Sequence, residues 1–585
     1  MDAERPIDGA ASARDVLERD PSGRTPAAAW VLLAVMTLLA AWARFDGIER
    51  LLPQSPEPDD HAVIQLVELE AGTPEGARPA VFGRYPLLLA RLGTLAPRAV
   101  DVEHANTLDE FLIAAAEPTL RLRLLVACFA VLAIPLSFLL ARHFLDPWPA
   151  LLAAAFTATS LIHLMFSQQA RPHAVHFTLL LLALIASLAL VERPSVARSL
   201  CAGACSGLAF ATLQTGGFTL APLVVAHVFA PKAWNARSRW LAACSSLAVA
   251  AAIAAAFVPG GRVPDPGATT AEMNLDGTVV SQGGLMFELV KLNGLGFPRG
   301  FRQVFVHDPV PLLLGCVGLV LLLFRLRRVV RDRRVLVLAA YSLPYGLVWG
   351  MYAWVYERYW LPLYPAMTML AAWAVWRASR GAGGELAWRR LFVVFAALAL
   401  AFPVAVQGRF VLLAAAPDTV HEAADWLVEH AQPGDDVLVT PQLNLPLAYS
   451  NADDALLAET KRAQAWRGLQ RARPLPAALG PRLRIRNVPT AAVNEGPERA
   501  PANAERLLTD PKPRFVVIEA TRWNRWILLS SLLWRGAVER GDPVFASQGD
   551  DDGTRSSFYQ DVPAPIPRLF ALDRMGPRIE IYTLR

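Results

Sequence analysis

The chain has 585 residues, of which 54% are hydrophobic and only 18% charged, with a net charge of +5 and a mean hydropathy of +0.33. A water-soluble globule carries about 25% charged and 45–50% apolar residues. A cytosolic enzyme, a disordered tail and a small disulfide scaffold are therefore excluded, and the chain lies largely in a membrane. The 45 prolines and 37 glycines, scattered throughout, exclude coiled coil and collagen. The positive balance does not point to nucleic acid: only four of the 56 basic residues are lysine, and they do not gather on one soluble segment. Cys128, Cys201, Cys205, Cys244 and Cys316 all fall in apolar runs, so neither a disulfide framework nor metal-ligand spacing is present. Cys201 and Cys205 share a helix face, where they read as packing groups.

A membrane-spanning helix needs about 17–25 mostly apolar residues. In chain order the windows are Ala27–Ala43, Leu122–Ala141, Ala150–Phe166, Ala174–Val191, Leu200–Leu213, Phe218–Ala230, Leu241–Pro259, Val310–Phe324, Val335–Trp354, Trp360–Trp376 and Leu391–Gln407. Leu200–Leu213 and Phe218–Ala230 are short, and Gly216-Gly217 between them leaves two spans or one kinked span open. With eleven spans and the N-terminus inside, the inner connections hold sixteen Lys/Arg, six of them between Arg325 and Arg334. The short outer connections hold only Arg171 and Arg358, the asymmetry of the positive-inside rule. Ala41-Trp42-Ala43 resembles a signal-peptide cleavage site, but the tail before it has six acids against four arginines, so the first window reads as an anchor.

The expected fold is an α-helical polytopic membrane protein, divided into a cytoplasmic tail (1–26), a transmembrane domain (27–408) and a C-terminal extracytoplasmic α/β domain (409–585). Large outer loops are expected at about 44–121 and 260–309. In the C-terminal part, Thr419–His430 has apolar residues at helical spacing, and Val437–Thr440, Phe515–Glu519 and Ile579–Leu584 read as strands. The arginine- and proline-rich stretch from Arg462 to Pro511 reads as irregular.

No Asp or Glu occurs inside the eleven windows, which weakens an ion-coupled transport reading. The groups able to do chemistry sit at the outer boundary. In Pro58-Asp59-Asp60-His61 two adjacent carboxylates have the chemistry of a general base with an orienting neighbour. The same pair also reads as a solvated acidic turn, or as the N-cap of a helix His61–Glu70. In Ser167-Gln168-Gln169-Ala170-Arg171-Pro172-His173, between two spans, the arginine offers a forked set of donors suited to a phosphate or to lipid headgroups. Tyr356-Glu357-Arg358-Tyr359 precedes Trp360-Leu361-Pro362-Leu363-Tyr364-Pro365; its aromatics fit an interfacial belt, and Arg358 faces a phosphate or pairs with Glu357. His307-Asp308 closes the second loop, whose one lysine is Lys291.

Together and in this order, these elements resemble the GT-C fold polyprenyl-phosphate-dependent glycosyltransferases, in particular the bacterial family related to protein O-mannosyltransferases and aminoarabinose transferases. The resemblance rests on Asp59-Asp60, on Tyr85-Pro86-Leu87-Leu88-Leu89 as a proline-led juxtamembrane helix, on Leu122–His173 with its Ser-Gln-x-Ala-Arg ending, and on Arg358-Tyr359-Trp360-Leu361-Pro362. It covers about Ala27 to Gln407 and reaches the C-terminal part only loosely. Gln169 stands where a glutamate is usual, and Asp60-His61 where Glu-Ala is common.

The resemblance implies a membrane glycosyltransferase that moves a sugar, hexosyl or pentosyl, from a polyprenyl-phosphate donor to an acceptor hydroxyl. It implies Asp59 as the base with Asp60 orienting, and Arg171 and Arg358 on the departing phosphate. Tyr85, Gln169, His173 and Tyr359 join them at the substrate. A single displacement implies inversion. No cofactor follows from the residues; some members of the wider superfamily use a divalent cation. The implied partners are the lipid-linked sugar, membrane lipid and an acceptor glycan, lipid or protein, without nucleic acid, in a bacterial inner membrane. A transporter or flippase of lipid-linked saccharide, or an inactive binding relative, are the alternatives.

Overall fold

The computed structural model describes residues 25–52, 63–64, 66–67, 70–72, 86–95, 108–230, 234–258, 279–282, 285–288, 291–353, 355–380, 385–440, 443, 445, 483–487, 498–521, 528–549 and 566–585. The helices up to the first hairpin are α1 (Ala27–Phe45), α2 (Leu88–Thr94), α3 (Leu108–Arg142), α4 (Pro147–Thr159), α5 (Leu161–Ser167), α6 (His173–Glu192), α7 (Val196–Thr212), α8 (Leu220–Val228) and α9 (Ala236–Ala256). A hairpin of β1 (Val279–Gln282) and β2 (Leu285–Glu288) comes next, then α10 (Gly296–His307), α11 (Pro309–Leu323), α12 (Leu326–Val329), α13 (Arg333–Met351), α14 (Tyr364–Ser379) and α15 (Glu385–Ala415).

Five of these stretches, and a bent sixth formed by α4 with α5, cross on length and composition or contain a segment that does, as does Leu386–His430. The last is broken at Pro417-Asp418 into α15 and α16 (Thr419–His430). Among the described residues, each of the eleven apolar windows falls mainly on helix, some of it too short to count as a span alone. α6 is the hub: most of its side chains are buried, and α3, α7 and α8 pack around it. α7 and α8 are two antiparallel helices rather than one kinked one. Gly216 lets the chain fold back so closely that a Cβ there would lie 2.3 Å from the Ala209 carbonyl. His227, at the end of α8, meets Ser199 near the start of α7 at 3.0 Å.

The two ends of the bundle differ in chemistry. At one end, Arg334 donates to the His143 carbonyl at 2.6 Å, His143 meets Glu192 at 3.0 Å, and Arg380 lies 3.7 Å from Asp146. This end gathers connections whose arginines dominate the sequence's charge asymmetry. The turns carrying Arg171 and Arg358 leave the opposite ends of the same helices.

The loop expected at about 260–309 contains the β1–β2 hairpin and α10, so it is not a plain loop. The loop expected at 44–121 holds α2, where the proline-led helix was expected, and the first turns of α3. After α16 come β3 (Asp436–Val439), β4 (Arg484–Asn487), α17 (Ala500–Thr509), β5 (Phe515–Glu519), α18 (Leu528–Arg540), β6 (Gly541–Ala546), α19 (Ile566–Ala571) and β7 (Ile579–Leu584). The stretch from Arg462 to Pro511 is thus not irregular throughout, since β4 and α17 lie within it. The sheet order is β4-β3-β5-β7-β6, with β3 parallel to β4 and β5, and β7 antiparallel to β5 and β6.

Strand alternation sorts the sheet's two faces. Val437, Val439, Phe515, Val517, Ile579 and Ile581 pack with Ala423, Ala424 and Leu427 of α16. Leu438, Val516, Ile518 and Tyr582 pack with α17 and α18. This unit seats on the bundle through α19, where Ile566 and Leu569 join Leu161, Leu164 and Met165 of α5 and Phe410 of α15.

Candidate functional site

Position within the site begins with a broken helix. The 54° bend between α4 and α5 frees backbone groups at Ala158 and at Leu161–Ile162. Inside a bilayer such groups need protein partners, because water is absent. The Ala158 carbonyl accepts from both terminal nitrogens of Arg44 at 3.3 Å and from Gln407 Nε2 at 2.9 Å. On the other side of the break, the Asp308 carboxylate accepts from the N–H groups of Leu161 and Ile162 at 2.9 and 3.3 Å. It also accepts from Ser160 Oγ at 2.9 Å and the Tyr364 hydroxyl at 2.5 Å. A cation at the C-terminal end of one half-helix and an anion at the N-terminal end of the other match the dipole of each. Arg44 also donates to His163 Nδ1 at 2.8 Å and is wholly buried.

The break aims α5 so that it delivers Ser167, Gln168, Gln169, Arg171 and His173 into the protein, all buried. Gln168 ties this turn to the end of α1: its Nε2 donates to the carbonyls of Ala43, Arg44 and Asp46 at 3.3, 3.3 and 3.0 Å, and its Oε1 accepts from Arg50. Those carbonyls are the orphan acceptors of a helix C-terminus. Arg123 donates to the carbonyls of Ile48 and Arg50 at 2.9 and 3.0 Å. Asp418, the N-cap of α16, accepts from the Leu51 N–H at 3.0 Å and from His421 Nδ1 at 2.8 Å. The chain therefore leaves the described region at Leu52 after being fixed beside the Arg171 turn.

The second arm is the 3₁₀ turn Glu357–Tyr359. The Arg358 guanidinium lies 4.5 Å from the ring centre of Tyr356 and 5.3 Å from that of Tyr359. Tyr359 stacks on Trp349 of α13 at 4.2 Å with the rings nearly parallel. The two arms are neighbours: the turn Glu357–Tyr359 packs against α5, the helix that leads into Arg171. The His173 ring meets Phe166 edge-on at 5.3 Å. The forked donors of two neighbouring arginines are of the kind that suits a phosphate.

Of the residues singled out in the sequence, Arg171, Arg358, Gln169, His173 and Tyr359 lie in these two arms. Asp59, Asp60, His61 and Tyr85 fall outside the described residues. Sequence reasoning assigned no role to Arg44, Gln168 or Tyr364; their signal is a polar group in or beside an apolar window. Among the described residues no group of three or more His, Cys, Asp or Glu is arranged to hold a metal ion.

Residues 111–259 match the family described as dolichyl-phosphate-mannose-protein mannosyltransferase. This bears out the resemblance read from the sequence over a stretch that includes Gln169, Arg171 and His173. No curated protein matches the chain. Among solved structures, the apo oligosaccharyltransferase of Archaeoglobus fulgidus aligns at 14% identity with a TM-score of 0.47, over 88% of this chain and 73% of that one. ArnT from Cupriavidus metallidurans bound to undecaprenyl phosphate aligns at 16% identity with a TM-score of 0.47, over 86% and 95%. The S. cerevisiae protein O-mannosyltransferase Pmt1–Pmt2 complex bound to the sugar donor aligns at 15% identity with a TM-score of 0.32, over 47% and 37%.

Proposed function

We propose that this protein is a membrane glycosyltransferase that moves a sugar from a polyprenyl-phosphate donor to an acceptor hydroxyl on the extracytoplasmic face. The observation that carries the reading is the packing of the turn that holds Arg358 against α5, the helix that leads into the buried Arg171. The family matched by residues 111–259 is described by a donor of the same class, a sugar on a lipid phosphate. Transfer breaks the bond between the anomeric carbon and the phosphate oxygen, and negative charge grows on that oxygen as it leaves. Fixed donors aimed at developing charge need no reorganisation and supply a large share of the rate.

In this reading Asp59 takes the proton of the attacking hydroxyl, Asp60 orients it, and the single displacement inverts the anomeric carbon. Tyr85, Gln169, His173 and Tyr359 contact the substrate. The N-terminus is cytoplasmic, the C-terminal sheet domain extracytoplasmic, and the membrane a bacterial inner membrane. Gln169, neutral where a glutamate is usual, removes one acidic neighbour from the phosphate.

The test supplies radiolabelled polyprenyl-phosphate sugar to one face of proteoliposomes. Consumption of donor with release of polyprenyl phosphate is expected, and Asp59→Asn abolishes transfer while donor binding persists. Donor that crosses intact would make the protein a transporter, and turnover unchanged in Asp59→Asn would remove that carboxylate from the chemistry.

A further inference from the structure

The surface of α10 divides into three strips. Gly296, Gly300, Val304 and His307 are buried, and the glycines admit their neighbours closely: a Cβ at Gly296 would lie 2.1 Å from the Trp349 carbonyl oxygen, and one at Gly300 within 2.0 Å of the Trp360 indole. Phe297, Phe301 and Phe305, spaced four apart, form one row along the helix and are 46, 47 and 42% exposed. The rings of Phe301 and Phe305 stack at 6.3 Å. Arg299 and Arg302 are exposed on the remaining side.

This is the pattern of a helix lying in a membrane interface, with an apolar strip in the acyl region and cations toward water. What covers the row follows from continuity. Asp308 alone separates α10 from α11, whose Leu313, Val317 and Val320 point outward from the bundle as a lipid-facing helix requires. The phenylalanine row comes directly before that apolar surface in the chain and is exposed to a similar degree. The same helix holds the chain leading to Arg358: Arg299 donates to the Ala353 carbonyl, and Gln303 Nε2 donates to the Val355 carbonyl at 2.6 Å.

We infer that α10 is seated in the bilayer edge, with Phe297, Phe301 and Phe305 covered by phospholipid acyl chains, and that this lipid-seated helix anchors Ala353 and Val355. The seating stands whether or not Arg358 binds a phosphate, because it rests on the helix's own surface.

The test uses the full-length protein in phosphatidylcholine/phosphatidylglycerol nanodiscs, with single spin labels at the outward positions 297, 298, 299, 301, 302, 305 and 306. Collision with oxygen should peak at 297, 301 and 305, and collision with a water-soluble nickel chelate should peak at 299 and 302. In vesicles containing a diazirine phospholipid, the unsubstituted protein should take up label on the peptide that contains these phenylalanines. Nickel access at 301 and 305 would make the row solvent-facing and overturn the inference. Shielding from both reagents, with no lipid adduct, would mean that protein covers it and would overturn it equally. Oxygen access lost on adding polyprenyl phosphate would give the row to the donor tail instead of bulk lipid.

Discussion

Arg171 shows what single residues contribute to this molecule. A buried guanidinium costs several kcal/mol in lost hydration, and Arg171 is wholly buried in a turn that also carries the buried Gln168, Gln169 and His173. If the position serves a departing phosphate, its geometry matters as much as its charge. Arg171→Ala is expected to lower kcat/KM for a polyprenyl-phosphate sugar by about 10²–10³-fold, the loss typical of removing one donor to developing charge. Arg171→Lys keeps the charge but loses the planar fork, so its activity should fall between the two. Equal activity in the wild type and Arg171→Ala, at matched expression, would take the arginine out of the reaction.

Asp418 and His421 make the second residue-level argument. Burial alone would push the Asp418 carboxyl up, but the hydrogen bond and charge of His421, with the N–H groups of His421 and Leu51, outweigh it and hold the group below 3.8. Burial alone would lower His421, but the Asp418 hydrogen bond and charge, then Asp425 and the backbone at Leu52, hold it above 6.5. The Asp418 contribution is complete above about pH 4 and is lost as pH falls through its lowered value. The His421 contribution is complete below about pH 6.5 and is lost as pH rises through its raised value. The gap in thermal midpoint between wild type and His421→Gln should therefore be widest between about pH 4 and 6.5 and shrink on the alkaline side. A gap that stays constant up to pH 9 would mean that the pair does not titrate as described.

At the scale of elements, legibility followed pattern strength. Thr419–His430 was readable because its apolar residues recur at helical spacing and Asp418 caps it. Phe515–Glu519 and Ile579–Leu584 were readable because they are central strands with dense β-branched and aromatic residues. β4 was not: its sequence, Arg-Ile-Arg-Asn, is that of an edge strand, and Arg486 is there to meet Asp436 at 3.0 Å. α10 was hidden because Gly296, Pro298 and Gly300 are poor helix formers, and it is their smallness that the packing uses. Of the site, the arginine arms were legible as polar breaks between apolar windows. The clamp around the α4–α5 bend was not, since Arg44, Asp308, Tyr364 and Gln407 come from four separate parts of the chain. A substitution follows at this scale. Gly296→Ala must push α10 off the Trp349 and Tyr352 carbonyls, where backbone cannot give way, and overpacking of this kind costs about 1–3 kcal/mol. The thermal midpoint should fall and the Arg358 turn should loosen, read as faster amide exchange at 353–359; an unchanged midpoint with unchanged exchange would show that the helix can shift at no cost.

Over the whole molecule, two ends are built from different materials. The Arg171 turn, the Leu51–Asp418 contact and the α19–α5 packing share one end. The Arg334–His143 and Arg380–Asp146 contacts share the other. The sheet domain thus stands over the same end as the two arginine arms, where under the proposed function it would meet an acceptor or shield the lipid phosphate. In the proposed topology α13, α14 and α15, which lie between the arginine cluster and that domain, each cross the bilayer, which puts the two on different faces. Arg331 and Glu539 are both exposed, one in each region. In a background with the five native cysteines replaced, Glu539→Cys should react with a membrane-impermeant maleimide added to intact spheroplasts. Arg331→Cys should react only after permeabilisation. The reverse pattern would put the arginine arms on the cytoplasmic face and end the proposal of extracytoplasmic transfer. Labelling of both from outside would mean that one of the three helices does not cross, which would also separate the sheet domain from the end of the bundle where the arms meet.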